Sequence, residues 1–145
     1  MKSKNPLIGN WILISYELIN GNQGNQSTQY PFGKDPIGYL FYTDTGRMYG
    51  TLMAENRTPF TSKDYMKGTL EEKALAMDTF ISYCGTYEIQ GDRVIHHVEV
   101  SWYPNWTQRP QERFFKIKGD QLILSTKPFQ VDGLEQTAQL VWRKI

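Results

Sequence analysis

Cysteine is nearly missing from this chain: Cys84 stands alone among 145 residues, so no internal disulfide framework can staple the fold. Histidine is almost as scarce, with two residues side by side at 96 and 97. With no acidic cluster at ligand spacing beside them, a structural zinc site is not expected and no metal ligands are assigned. Charge of one sign is lacking too. Sixteen Lys and Arg face fifteen Asp and Glu, for a net charge of +1, and the basic residues are scattered. That balance argues against a nucleic-acid partner or an anionic membrane surface. No apolar run approaches the roughly 20 residues that a bilayer-spanning helix needs. The stretch "GNQGNQS" at 21–27 is glycine-rich, yet it lacks the Lys-Ser/Thr ending of a phosphate loop and leads into no helix. No nucleophile-elbow motif supports Ser-His-Asp catalysis. The opening "MKSKNPLIGNWILISYELING" is interrupted by polar residues and shows no small-residue cleavage site. It does not read as a secretory leader, and a cytoplasmic location is expected.

What the chain has in abundance is aromatic residues, 14% of the total, which together with Val and Ile favour strands. Turn signals recur at short intervals: Asn20-Gly21, Asp44-Thr45-Gly46, Gln90-Gly91-Asp92, Lys118-Gly119-Asp120 and Asp132-Gly133. Between them, strands are expected at 8–18, 37–43, 47–53, 83–90, 93–103, 110–118, 121–126 and 136–144. Eight strands joined by short turns form a meander, which closes into an all-β, antiparallel up-and-down barrel without exposed edges. Residues 20–36, polar and rich in Gly, Asn and Gln, read as a long loop, either a lid or a disordered segment. Residues 69–82 carry the one credible helix. Thr69 caps it, Glu71 and Glu72 suit its first turn, and Leu70, Ala74, Met77 and Ile81 recur at helical spacing. Such a helix plugs or flanks one barrel end. Neither a repeat nor a second domain is evident, so residues 1–145 are expected to form one unit.

Several motifs run in a fixed order: Gly9-x-Trp11, "YPFGKDPIGYLFY" at 30–42, "GRM" at 46–48, "YCGTYEI" at 83–89, "HHVEV" at 96–100 with "PNW" at 104–106, Arg113, "LILS" at 122–125 and "VW" at 141–142. In this set the chain resembles the lipocalin-like domain family of small, mostly microbial proteins, over nearly its full length. Gly9-x-Trp11 is similar to the opening strand of lipocalins, where the Trp seals the closed end. The resemblance implies a barrel with a cavity and leaves the ligand open. The chain departs from secreted lipocalins in having no cysteine pair and no long helix after the last strand, and "SKDY" at 62–65 is only a distant echo of their second motif.

Inside such a barrel alternate residues point inward. If Trp11 does, so do Leu13, Ser15 and Glu17. On the strand at 93–103 one register holds Val94, His96, Val98, Val100 and Trp102; the other holds Ile95, His97, Glu99, Ser101 and Tyr103. On an ordinary sheet the second, polar register faces solvent, whereas a polar ligand site inverts the assignment. Under the inverted reading His97 and Glu99, two apart on one face, make an oriented general base. Glu17, Tyr39, Arg47, Tyr83, Tyr87 and Arg113 then complete a ligand site, with Arg113 either paired to Glu17 or Glu99 or free to hold an anion. His96 reads as a packing residue.

Three functions follow. One is binding of a small, largely apolar organic ligand in the cavity. Another is a cofactor-independent cyclase or isomerase acting on a polyketide-like or terpenoid-like intermediate of secondary metabolism. The third is a barrel filled by its own side chains. No cofactor is implied by any of them. Tyr103 and Trp106 line either the barrel mouth or a homodimer contact.

Overall fold

The turns fall where Gly and Asp invite them, and the strands between them close on themselves. The computed structural model describes residues 4–20 and 27–145. Its strands are β1 (Gly9–Asn20), β2 (Ser27–Gln29), β3 (Ile37–Tyr42), β4 (Arg47–Met53), β5 (Phe80–Gln90), β6 (Arg93–Ser101), β7 (Pro110–Lys118), β8 (Gln121–Ser125), β9 (Phe129–Val131) and β10 (Leu134–Lys144). Each pairs antiparallel with its neighbour in the order β1-β3-β4-β5-β6-β7-β8-β10, and β1 pairs with β10 to close an eight-stranded up-and-down barrel. The short β2 and β9 extend two hairpins beyond the wall, on the last residues of β1 and the first of β10. Asp132 and Gly133 both take positive φ, 51° and 76°, the two left-handed residues that a tight primed turn between twisted strands demands.

Two register shifts decide which residues face inward. In β1 the pairing slips between Leu13 and Ser15. Trp11, Leu13 and Leu18 are therefore buried and Tyr16 lines the interior, while Glu17, expected on Trp11's face, is turned away from it. In β6 Gly85 pairs with Val98 and Cys84 with Val100, so Glu99 is the extra residue of a bulge. Val98 is 2% exposed and Val100 65%: the strand reverses its faces within two residues. Gly85 permits this close approach, because a Cβ on it would lie 2.0 Å from the His97 carbonyl oxygen.

One end of the barrel is filled. Leu7, Trp11, Tyr42, Met48, Val94 and Leu122 are fully or almost fully buried there, each large apolar side chain contributing about 1.5–3 kcal/mol by leaving water. Trp11 Nε1–H donates to the Leu7 carbonyl at 2.9 Å, so the chain before β1 is drawn across the opening. Tyr87 points inward at the same end, but its hydroxyl is committed to the Thr43 carbonyl at 2.8 Å and to Asn5 at 2.9 Å.

The opposite end carries the long connections. The helix α1 (Leu70–Asp78) begins at Thr69, which forms a reciprocal capping box with Glu72. It stops earlier than its apolar spacing suggests. The Thr79 amide and hydroxyl both return to the Leu75 carbonyl, and "FISYCGTY" then follows the period of a strand, sending Ile81 into the barrel wall. No α1 residue is buried, so the helix flanks the open end and does not plug it. Within the expected loop 20–36, residues 21–26 lie outside the described residues. The remainder is ordered: β2 pairs with β1, and Phe32 is buried edge-on to Tyr16, ring centroids 5.2 Å apart.

Candidate functional site

Above the filled end, the barrel interior opens into a cavity of about 540 Å³, within the range of about 300–1,000 Å³ typical of small-molecule sites. Its walls are mostly apolar, with Leu40, Leu52, Leu124, Leu140 and Trp142 among them. Gly50, inward on β4, adds no side-chain bulk to the space.

The mouth is built by two segments. After β6 a single 3-10 turn, Pro104–Trp106, begins on a proline with pre-set φ. It folds Trp106 edge-on to Tyr83 at 5.5 Å and to Trp102 at 5.2 Å. The β9–β10 hairpin supplies Phe129 and Val131 on the other side.

The polar floor is a chain of three rings. His96 is 1% exposed. Its Nε2 lies 2.7 Å from the Tyr42 hydroxyl and its Nδ1 2.8 Å from the Tyr83 hydroxyl. Burial pushes the imidazole pKa down to about 3, and the Arg113 and His97 charges push the same way, so the ring is neutral at ordinary pH. Burial raises the Tyr16, Tyr42 and Tyr83 phenols above their usual range; in each the Arg113 cation opposes the rise. Arg113 itself lies over the Trp106 ring, 5.4 Å from its centroid, and donates to the Glu112 carbonyl at 2.9 Å. Among the described residues no carboxylate comes within 4.0 Å of it. The neighbouring Glu112 carboxylate is instead shared by Arg93 and Lys127. A cation thus projects into an apolar space with an aromatic face for company. The Trp142 ring, 2% exposed, lines the same cavity, while its Nε1–H is buried in the wall without a partner among the described residues.

Of the residues expected at the site, the cavity brings together Tyr83 and Arg113. The polar register of β6 does not turn inward. His97 bonds Glu88 at 2.8 Å on the outer face, which holds that carboxyl below its usual range. Glu99 pairs there with Arg47 at 2.5 Å. The reason is ordinary alternation: Val94, His96 and Val98 are the buried face, and the bulge at Glu99 reverses the faces only beyond itself, too late to bring His97 inward. Tyr39 points outward, half exposed, because Gly38, Leu40 and Tyr42 hold the inner face of β3. Glu17 is displaced by the slip in β1. Neither carboxylate reaches Arg113.

The residues that sequence reasoning passed over are His96, Tyr42, Tyr16 and Trp142. The apolar alternation around His96 and Tyr42 carried the signal for both, since a polar residue on an apolar face needs a partner. Nothing comparable marked Tyr16, which depends on the bulge. No cluster of three or more potential metal ligands occurs among the described residues, and no helix among them is long and apolar enough to cross a membrane.

The chain is 38% identical over 107 residues to the 4'-hydroxy-3'-methoxypropiophenone carrier protein of Aspergillus oryzae, covering 68% of this chain and 96% of that one. It is similar in structure to an uncharacterized protein from Bacteroides eggerthii, with 12% identity and a TM-score of 0.45 over 96% of this chain and 99% of the other. The profile of the lipocalin-like domain matches residues 8–145. The chain belongs to the lipocalin-like domain family.

Proposed function

We propose that this protein is a carrier that holds one small, largely apolar organic molecule in the open half of its barrel. The observation that carries this reading is the cavity itself: about 540 Å³ of mostly apolar wall, open at one end, with a few convergent polar groups. The name of the Aspergillus oryzae relative supports it, and suggests a phenolic aryl ketone as the kind of cargo. Aromatic rings at the mouth and walls suit a flat aromatic ligand.

The cyclase or isomerase reading is less well supported. Proton abstraction needs a base, and His96 is a weak one, with its pKa near 3 and both nitrogens occupied. The pairs at His97 and Glu99 lie outside the cavity. A cytoplasmic location and a homodimer remain parts of this proposal; the single Cys84 suits a reducing compartment, and native mass spectrometry reads the oligomeric state.

Titration with 4'-hydroxy-3'-methoxypropiophenone, followed by quenching of the cavity tryptophans, tests the carrier reading. The expected result is saturable binding at a single site, with the compound recovered unchanged. Recovery of a transformed product favours the enzyme; no binding of this compound or of apolar fluorescent probes favours a barrel without a cargo.

A further inference from the structure

We propose that the cavity selects its ligand by an oxygen acceptor, a carbonyl of the aryl-ketone type, which takes the Tyr83 O–H hydrogen, and that Tyr42 and His96 fix the direction of that hydroxyl. The inference rests on the carrier reading and adds the chemistry by which the cargo is recognised.

The direction follows from satisfying every buried group. Tyr42 is wholly buried, and among the described residues its hydroxyl has one hydrogen-bond partner, His96 Nε2 at 2.7 Å. A neutral imidazole has one donor and one acceptor nitrogen. If Nε2 carried the hydrogen, the Tyr42 hydroxyl hydrogen would be sealed in the core without an acceptor, which a buried donor rarely is. Tyr42 therefore donates to Nε2. The imidazole hydrogen then resides on Nδ1 and is donated to the Tyr83 oxygen 2.8 Å away. That oxygen already receives a hydrogen. Tyr83 has its own hydrogen left to give, on a residue that lines the cavity.

Arg113 beside it has the same character. The Arg113 guanidinium has five N–H donors and no acceptor, and it has no carboxylate partner among the described residues. Tyr83 from β5 and Arg113 from β7 thus offer hydrogens to an apolar space. A hydrocarbon leaves them unsatisfied, while a carbonyl oxygen conjugated to an aromatic ring matches both the donors and the aromatic walls.

The test compares propiophenone with propylbenzene, which keeps ring and chain but lacks the oxygen, on the whole protein and on Tyr83→Phe. Propiophenone is expected to bind the unaltered protein at least about tenfold more tightly. Tyr83→Phe should lose about tenfold for the ketone and leave propylbenzene unchanged. Equal affinities for the two probes, or an equal loss of both in the variant, overturns the inference while the carrier reading stands. Failure of both probes to bind overturns the two together. Independently of any variant, ¹⁵N NMR of the histidine rings should find His96 with its hydrogen on Nδ1. A hydrogen on Nε2 overturns the assigned direction.

Discussion

A buried imidazole with a phenol on each nitrogen has one comfortable protonation state, and His96 shows what that means for the whole chain. In the unfolded chain this histidine takes up a proton near its usual 6.5; in the barrel it refuses one until about 3. Between those values the unfolded state binds more protons, so stability is fully present above about 6.5 and falls as the pH drops. The expected loss is on the order of 1 kcal/mol per pH unit. The groups facing the ring are Tyr42 from β3, Tyr83 from β5 and Arg113 from β7, with His97 adjacent on β6. Urea denaturation of a His97→Gln protein between pH 6.5 and about 5 isolates this histidine, and adding His96→Gln should flatten the slope. An unchanged slope would mean that the ring is protonated in the folded barrel. The same residue shows why a site can be misread from sequence. His97 and Glu99 present the familiar look of a base and its orienter, yet their partners, Glu88 on β5 and Arg47 on β4, lie on the outer wall. His96 looks inert until Tyr42 and Tyr83, 54 and 13 residues away in the chain, are brought to its two nitrogens.

Among the elements, β5 and β6 show how a wall is kept continuous across an irregularity. The bulge at Glu99 presses the His97 carbonyl onto Gly85, leaving no room for a Cβ. Gly85→Ala is therefore expected to cost about 3 kcal/mol, close to the upper range for overpacking, and thermal or chemical denaturation reads it directly. A loss below about 1 kcal/mol would mean that the strands part easily at this point. Strand order, turn positions and the location of the helix were legible beforehand, because turn chemistry and side-chain alternation act over a few residues. The two bulges were not. Each adds one residue to one strand, at Ile14 and at Glu99, and flips the face of everything beyond it. Tyr16 and Glu17 exchange roles for that reason alone. The helix end was missed on a similar scale: Ile81 fits a helical stripe by spacing, but Thr79 closes the helix and hands the chain to β5.

At the scale of the molecule, the barrel divides its labour along its axis. One half is packed by Leu7, Trp11, Met48 and Leu122; the other is left open and rimmed by Trp102, Trp106 and the β9–β10 hairpin. A filled end supplies the burial that folds a closed meander, which frees the other end to keep a cavity that contributes little to stability. The two functions should separate by mutation. Trp11→Ala removes a fully buried ring and its bond to the Leu7 carbonyl; it is expected to cost about 3–5 kcal/mol and to leave ligand affinity in the surviving folded protein unchanged. Trp106→Ala removes a half-buried ring whose neighbours are Tyr83, Trp102 and Arg113. It should cost only about 1 kcal/mol of stability while weakening the binding of an aromatic ketone several-fold, because Arg113 loses the face that holds it over the cavity. Denaturation curves and ligand titrations on the same two variants decide the matter. If Trp11→Ala loosens the ligand as much as Trp106→Ala does, the barrel responds as one packed body, and the open half is not an independent site.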